Sequence, residues 1–289
     1  MKKHTDDRVL LPGDLHVGKP NIGNRERFLE RVNQALDNHR LTNNGPFVRE
    51  LEKQIAEMHQ VKHCVAVSNG TTGLGIAIKA LNLEGEVIIP SMTFIATAHA
   101  LQWQGITPVF CDIDPRTYNI DPEKIEDRIT EKTTGIIGVH LWGRPCSVKR
   151  LKEIAEKNRL KLIYDAAHAF GCSYQGRMIG SFGDVEVLSF HATKVFNSAE
   201  GGAILTNDST LAEKIRYMRD VGFAGYDKVI YLGINGKMNE LMAALGLTNL
   251  ESFNDFVNVN KENYREYQKL SKSIPGLSLI HYDDDELNN

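Results

Sequence analysis

The chain has 289 residues, 42% of them hydrophobic and 25% charged, with a formal net charge of −3. That is ample for a sizeable core, and it lacks the basic surplus that marks a nucleic-acid or anionic-membrane binder. No apolar run approaches the roughly 20 residues that span a bilayer. The polar N-terminus, Met1 to Asp7, leads only into Val9-Leu10-Leu11, too short for a signal-peptide core. The four cysteines, Cys64, Cys111, Cys146 and Cys172, form no CxxC pair and read as reduced thiols, which points to the cytoplasm.

In chain order, Asn24 to Met58 carries two helical stretches separated by Leu41-Thr42-Asn43-Asn44-Gly45-Pro46, a loop of turn-forming residues. Seven short apolar, β-branched runs then read as buried strands: Cys64 to Ser68, Glu86 to Pro90, Pro108 to Asp112, Gly135 to His140, Leu160 to Asp165, Val185 to Phe190 and Gly202 to Thr206. Helical periodicity fills the gaps at Thr71 to Leu83, Thr93 to Gln104, Ser147 to Asn158 and Ser209 to Asp220. A shorter helix is expected over Pro122 to Ile129, with Asp121 as its N-cap. Such alternation predicts an α/β fold, a mostly parallel seven-stranded sheet between helices. Asn239 to about Ser271 reads as a long helix broken near Ser252 to Asn254. Pro275 to Ile280 reads as the first strand of a further small domain, and Asp283-Asp284-Asp285-Glu286 as a solvated acidic run. The expected organisation is a helical segment and loop over 1–60, a large α/β domain over 61–238, and a long helix opening an incomplete C-terminal domain over 239–289.

Three strand ends carry chemistry, at the sheet edge where open α/β folds bind ligands. Lys194 follows Ser189-Phe190-His191-Ala192-Thr193; it is either a surface lysine or a desolvated, nucleophilic amine. Asp165 ends one strand and is either a helix N-cap or the anionic partner of a protonated ring nitrogen. Gly70-Thr71-Thr72-Gly73 opens a helix whose free N–H groups and dipole favour a phosphate, with Ser189 a further hydroxyl donor. Together the three suit a carbonyl-bearing, phosphorylated aromatic cofactor, and pyridoxal 5′-phosphate fits that description. Phe94 reads as a core aromatic or as a flat face against the cofactor ring. His168 and His191 read as ordinary polar side chains or as donors to the cofactor's phenolic oxygen or phosphate. His140 and Trp142 lie past another strand end, where they line a substrate pocket or turn the chain. Asp112 and Asp114, with Pro115 after them, read as a loop rather than metal ligands.

These segments closely resemble the DegT/StrS-type sugar-nucleotide aminotransferases, a branch of the fold-type-I PLP enzymes, from about Leu41 to Leu250. The most specific pieces are the Leu41 to Pro46 loop, Pro90-Ser91-Met92-Thr93-Phe94, Asp165-Ala166-Ala167-His168, Ser189 to Lys194 and Asn235-Gly236-Lys237-Met238-Asn239-Glu240. The resemblance implies the fold-type-I transferase fold with Lys194 as the Schiff-base lysine and Asp165 on the pyridine nitrogen. It implies Gly70, Thr71, Thr72 and Ser189 around the phosphate, with His191 nearby, Phe94 on the ring, and His168 at the ring's oxygen substituent. Asn235 would reach the phosphate of a partner subunit's cofactor, in a homodimer with shared active sites. Thr42, Asn43, His140 and Trp142 are the expected substrate residues. The implied reaction moves an amino group from an amino acid, L-glutamate, to a nucleotide-linked keto sugar. The wording around His140 to Cys146 is similar to the subgroup that aminates C4 of a dTDP-4-keto-6-deoxyhexose. Two other readings stay open: a PLP-binding, non-catalytic or partner-dependent homologue, and a C3-keto-sugar aminotransferase.

Overall fold

The computed structural model describes residues 18–280 and 282; the polar N-terminus and the acidic run at 283–286 lie outside the described residues. Two helices come first, α1 (Arg25–Asp37) and α2 (Pro46–Met58). The central sheet takes β1 (His63–Val67), β2 (Glu86–Pro90), β3 (Thr107–Cys111), β4 (Thr133–Val139), β5 (Lys161–Asp165), β8 (Val185–Ser189) and β9 (Gly202–Thr206). The order is β1-β9-β8-β5-β4-β2-β3. Only β9 runs against its neighbours; every other pairing is parallel. Apart from the edge strand β3, which is partly exposed, the strands are short, apolar and buried on both faces, as strands covered by helices must be.

The covering helices are α3 (Gly70–Ala80), α4 (Ala96–Gln102), α5 (Val148–Asn158) and α6 (Ser209–Arg219). On one face α3, α4 and α6 bury Leu74, Ile78, Leu101 and Ile215 against Val67, Ile89 and Val187. Towards the β1–β9–β8 side the opposite face packs α2 and α7 (Glu240–Glu251) around Phe170, Phe190 and Phe196, and α5 covers the β4–β5 side. The long final helix does break, at Ser252, into α7 and α8 (Phe253–Ser271).

Three expectations are corrected. The helix over Pro122 to Ile129 is two 3₁₀ turns, Pro122–Lys124 and Glu126–Arg128, because Asp121 caps the first turn and Ile129 returns to extended backbone. A two-residue ribbon was missed: β6 (Ser173–Tyr174) pairs with β7 (Arg177–Met178). Gln175 and Gly176 both have positive φ, the geometry of a type I′ hairpin turn. Pro275 to Ile280 forms no strand; the Tyr264 hydroxyl of α8 donates to the Ile280 carbonyl. Among the described residues, no helix is long and apolar enough to cross a membrane.

Candidate active site

The C-terminal ends of β4, β5 and β8 open into a cleft of about 840 Å³. Register sets its floor: Val139 of β4 and Val187 of β8 flank Asp165 of β5, and all three line the cleft. Asp165 is 6% exposed, so its charge needs partners. Oδ1 accepts from the Ala167 N–H at 3.1 Å and Oδ2 from the Thr97 hydroxyl at 2.8 Å. Thr97 is fully buried in α4, and its hydroxyl shares a 2.7 Å bond with Thr93. The carboxylate is therefore fixed in direction by contacts to both of its oxygens.

Lys194 stands across the cleft on the turn that follows β8, where its N–H donates to the His191 carbonyl. Partial burial holds the Lys194 ammonium below the usual lysine range, against the opposing pull of Asp165. Burial, and then the charge of Lys194, likewise lower His168. Lys194, Asp165 and His168 thus sense one another, and the two bases are both biased towards their neutral forms.

The third wall is the start of α3. Asn69 caps it, taking the Thr72 N–H on its side chain and the Gly73 N–H on its carbonyl. Gly70 and Thr71 keep their N–H groups without a helical acceptor, at the positive end of the dipole. Backbone closeness is built in: a Cβ on Gly70 would lie 3.0 Å from Ser189 Cβ, and one on Gly202 would lie 2.9 Å from Gly70 N. Thr71, Thr72 and Ser189 add hydroxyls on the same wall. A phosphate site, a carboxylate at a strand end and an amine of lowered basicity face one cavity. That donor set matches the phosphate, ring nitrogen and carbonyl of pyridoxal phosphate.

Of the expected residues, the cleft gathers Gly70, Thr71, Thr72, Phe94, Trp142, Asp165, His168, Ser189, His191 and Lys194. Phe94 is 71% exposed, an aromatic face open to the cavity. His191 bonds Thr193 at 2.9 Å and lies 3.6 Å from Glu200 at the rim. Four expected residues are elsewhere. His140 is completely buried, and its ring stacks on Tyr164 at 4.6 Å behind the cleft floor. The strand end puts Val139 on the cleft and sends the next side chain to the core. Thr42 and Asn43 are exposed on the loop before α2, and Asn235 is exposed beside Asp220, outside its own chain's cleft. That loop is tied down by Glu240, which is 1% exposed. Its N–H donates to the Leu41 carbonyl, and its carboxylate accepts from Phe47 and Val48 N–H at the start of α2.

Sequence reasoning missed Thr97, Glu240, and the cleft-lining Met92, Thr93 and Glu200. Met92, Thr93 and Glu240 carried a signal, lying in the Pro90 to Phe94 and Asn235 to Glu240 segments. All four cysteines are free thiols.

Comparison with known proteins agrees with this geometry. The profile of the DegT/DnrJ/EryC1/StrS aminotransferase family matches residues 23–288. A dTDP-4-amino-4,6-dideoxy-D-glucose transaminase of Shigella dysenteriae is 41% identical over 275 residues, 95% of this chain and 75% of the relative. The solved structure of DesI in the presence of its TDP-sugar product matches with a TM-score of 0.91 at 47% identity, covering 95% of this chain and 70% of that one. NtdA from Bacillus subtilis, solved with bound cofactor PMP, matches at 0.82 and 31% identity, covering 91% of this chain and 61% of that one.

Proposed function

This chain belongs to the DegT/DnrJ/EryC1/StrS aminotransferase family, and from that premise we propose that it is a pyridoxal-phosphate-dependent sugar-nucleotide aminotransferase. Its acceptor is a dTDP-linked 4-keto-6-deoxyhexose, aminated at C4, and its donor is L-glutamate. The observation that carries the reading is the convergence of Lys194, Asp165, His168 and the α3 N-terminus on one cleft. The substrate rests on the 41% identical transaminase and on DesI with its TDP-sugar product.

Each residue has a defined task. The N–H groups of Gly70 and Thr71, with the hydroxyls of Thr71, Thr72 and Ser189, hold the cofactor's phosphate. Asp165, aimed by Thr97 and Ala167, holds the ring nitrogen protonated. Phe94 presents a flat apolar face to the ring. Bound pyridoxal phosphate supplies a carbonyl that condenses with amines and a ring that absorbs electron density from the breaking bond. Lys194 Nζ, kept towards its neutral form by burial, is the base that takes the proton from the donor's Cα. Trp142, exposed on the cleft wall, meets the substrate.

The working unit in this reading is a cytoplasmic homodimer. Trp103 and Leu232, which line one cavity, are 89% and 77% exposed, bare apolar surface that a partner would cover. This second cavity, of about 600 Å³, is lined also by Thr71 and Thr72. A partner seated there borders the phosphate wall, and exposed Asn235 and the Thr42-Asn43 loop are free to serve a neighbouring site.

The test is the absorption spectrum of the purified protein with pyridoxal phosphate, before and after glutamate. The expected result is a protein-bound band that glutamate converts to the pyridoxamine form and that dTDP-4-keto-6-deoxy-D-glucose restores. A band indifferent to glutamate would overturn the aminotransferase reading.

A further inference from the structure

The segment from His140 to Cys146 offers two backbone N–H groups to imidazole rings. Trp142 N–H donates to His168 Nδ1 at 3.2 Å, and Cys146 N–H donates to His140 Nδ1 at 3.0 Å. A backbone N–H can only donate, so Nδ1 is the acceptor in both rings and a neutral ring carries its proton on Nε2. His140 turns Nε2 into the core, 3.6 Å from Glu186. His168 lines the cleft. Its Nδ1 is spoken for, so the nitrogen left to meet a ligand is Nε2, with its hydrogen.

Trp142 is held in an uncommon shape to do this. Its φ of 54° and ψ of 28° are left-handed, which a bulky side chain adopts at a cost of about 1–3 kcal/mol when surrounding contacts demand it. Those contacts are present. The Trp142 carbonyl accepts from the Tyr282 hydroxyl at 3.1 Å, and its indole meets the Tyr118 ring edge-on at 5.7 Å. In ordinary helical or extended geometry the amide N–H would leave His168.

We propose that Trp142 is a positioning residue whose strained backbone fixes His168 as the Nε2–H tautomer, making His168 a preset neutral hydrogen-bond donor to the oxygen substituent of the bound cofactor's ring. The identity of that recipient rests on the function proposed above; the tautomer does not. The chemistry favours this form over the alternatives. A bare ring nitrogen would set two lone pairs against each other. An imidazolium would turn an Nδ1 proton against the Trp142 N–H and stand as a further positive group beside Lys194.

The experiment starts without cofactor. In protein labelled with ¹⁵N and stripped of pyridoxal phosphate, the ring signals of His168 are identified by their loss in His168→Gln. A protonated Nε2 and an unprotonated Nδ1 at neutral pH are expected; an Nδ1–H tautomer or a doubly protonated ring would overturn the proposal. The Trp142 amide should exchange slowly in the wild type and in His168→Gln, whose side-chain oxygen can accept the bond, and fast in His168→Leu. Equal exchange in all three would deny the contact. Pyridoxal phosphate affinity is then measured for the same proteins. His168→Gln, a neutral donor, should stay within about threefold of wild type, and His168→Leu should bind about tenfold more weakly, as expected for one net hydrogen bond. Equal affinity of the Leu and Gln variants overturns the donor role. Failure of every form to bind the cofactor overturns the proposed function while the tautomer result stands.

Discussion

His168 and His140 accept the same kind of bond from one short segment, His140 to Cys146, and finish in opposite settings. Each ring accepts a backbone N–H on Nδ1. On the open side, His168 shares a cleft with Lys194 and Asp165, within reach of ligands. On the closed side, His140 is stacked on Tyr164 and faces Glu186, all three fully buried. One Glu186 oxygen accepts from the Phe182 N–H; the other, with His140 Nε2 and the Tyr164 hydroxyl, has no hydrogen-bond partner among the described residues. The local bond is therefore not what makes a histidine functional. The difference is whether its free nitrogen opens on a cavity or on the core, and a one-residue step at the end of β4 decides that.

The comparison assigns activity to the open side and stability to the closed side, and the two strongest perturbations separate them. Lys194→Ala removes both the amine and the base. Amino transfer should fall by about 10³-fold or more while the unfolding transition hardly moves. Turnover of glutamate and keto sugar, followed beside thermal unfolding, checks this; activity within tenfold of wild type would remove Lys194 from the mechanism. Glu186→Ala acts on the other side. It strips the buried acceptor from the Phe182 N–H and the carboxyl group 3.6 Å from His140, so stability should drop by about 3–5 kcal/mol. Urea unfolding measures it, and a loss under about 1 kcal/mol would mean that the closed cluster holds nothing together.

The asymmetry was only half legible in the chain. Apolar β-branched runs gave the strands, since strands buried on both faces have no other composition available to them. Strand ends are where such sheets bind ligands, which made Asp165 and Lys194 visible before any geometry. His140 also stands at a strand end, and nothing local says that its side chain turns inward. Thr97 looks like any helical threonine; its partner Asp165 is 68 residues away in sequence. Glu240 reads as a first-turn acid of its own helix, yet it caps α2, whose Val48 N–H lies 192 residues earlier. Gly45 offers that helix no side-chain cap, and its missing side chain is the one trace of the arrangement: a Cβ there would lie 2.3 Å from the Glu240 carboxyl carbon. Contacts of such separation belong to the fold and leave no periodicity to read.

A third histidine tests whether burial rather than bonding sets the closed-side behaviour. His59 is fully buried against Phe170, and its Nδ1 pairs with the Ile179 carbonyl, so it carries the opposite tautomer from His140. Burial pushes its pKa from 6.5 down to about 4, outweighing the carbonyl bond. The folded protein then binds fewer protons than the unfolded chain between those values. The stability held by neutral His59 is complete above about pH 6.5 and is lost as pH falls towards 4, amounting to about 3 kcal/mol. Denaturant unfolding at successive pH values, in wild type and His59→Gln, should show that slope in the wild type and a shallower one in the variant. Parallel slopes would place the acid sensitivity elsewhere.

The smallest expected effect probes the open side most finely. Thr97→Val keeps the volume and β-branching of a fully buried side chain but removes the hydroxyl between Thr93 and Asp165. Asp165 keeps the Ala167 N–H on Oδ1 and loses the bond that fixes Oδ2. A hydrogen bond to a charged acceptor contributes about 1.5–3 kcal/mol, and a rotated carboxylate recovers part of that from the cleft, so turnover should fall about tenfold. Folding stability, by contrast, should change by no more than about 1 kcal/mol, because the valine still fills the site. The informative readout is the pH dependence of the bound cofactor's absorption, which reports how firmly Asp165 holds the ring proton. If Thr97 aims the carboxylate, the transition in Thr97→Val moves to lower pH, and Thr97→Ser, which restores the hydroxyl without the methyl, returns it towards wild type. An unmoved transition in Thr97→Val would make the hydroxyl chain a packing feature and leave Ala167 as the sole guide of Asp165.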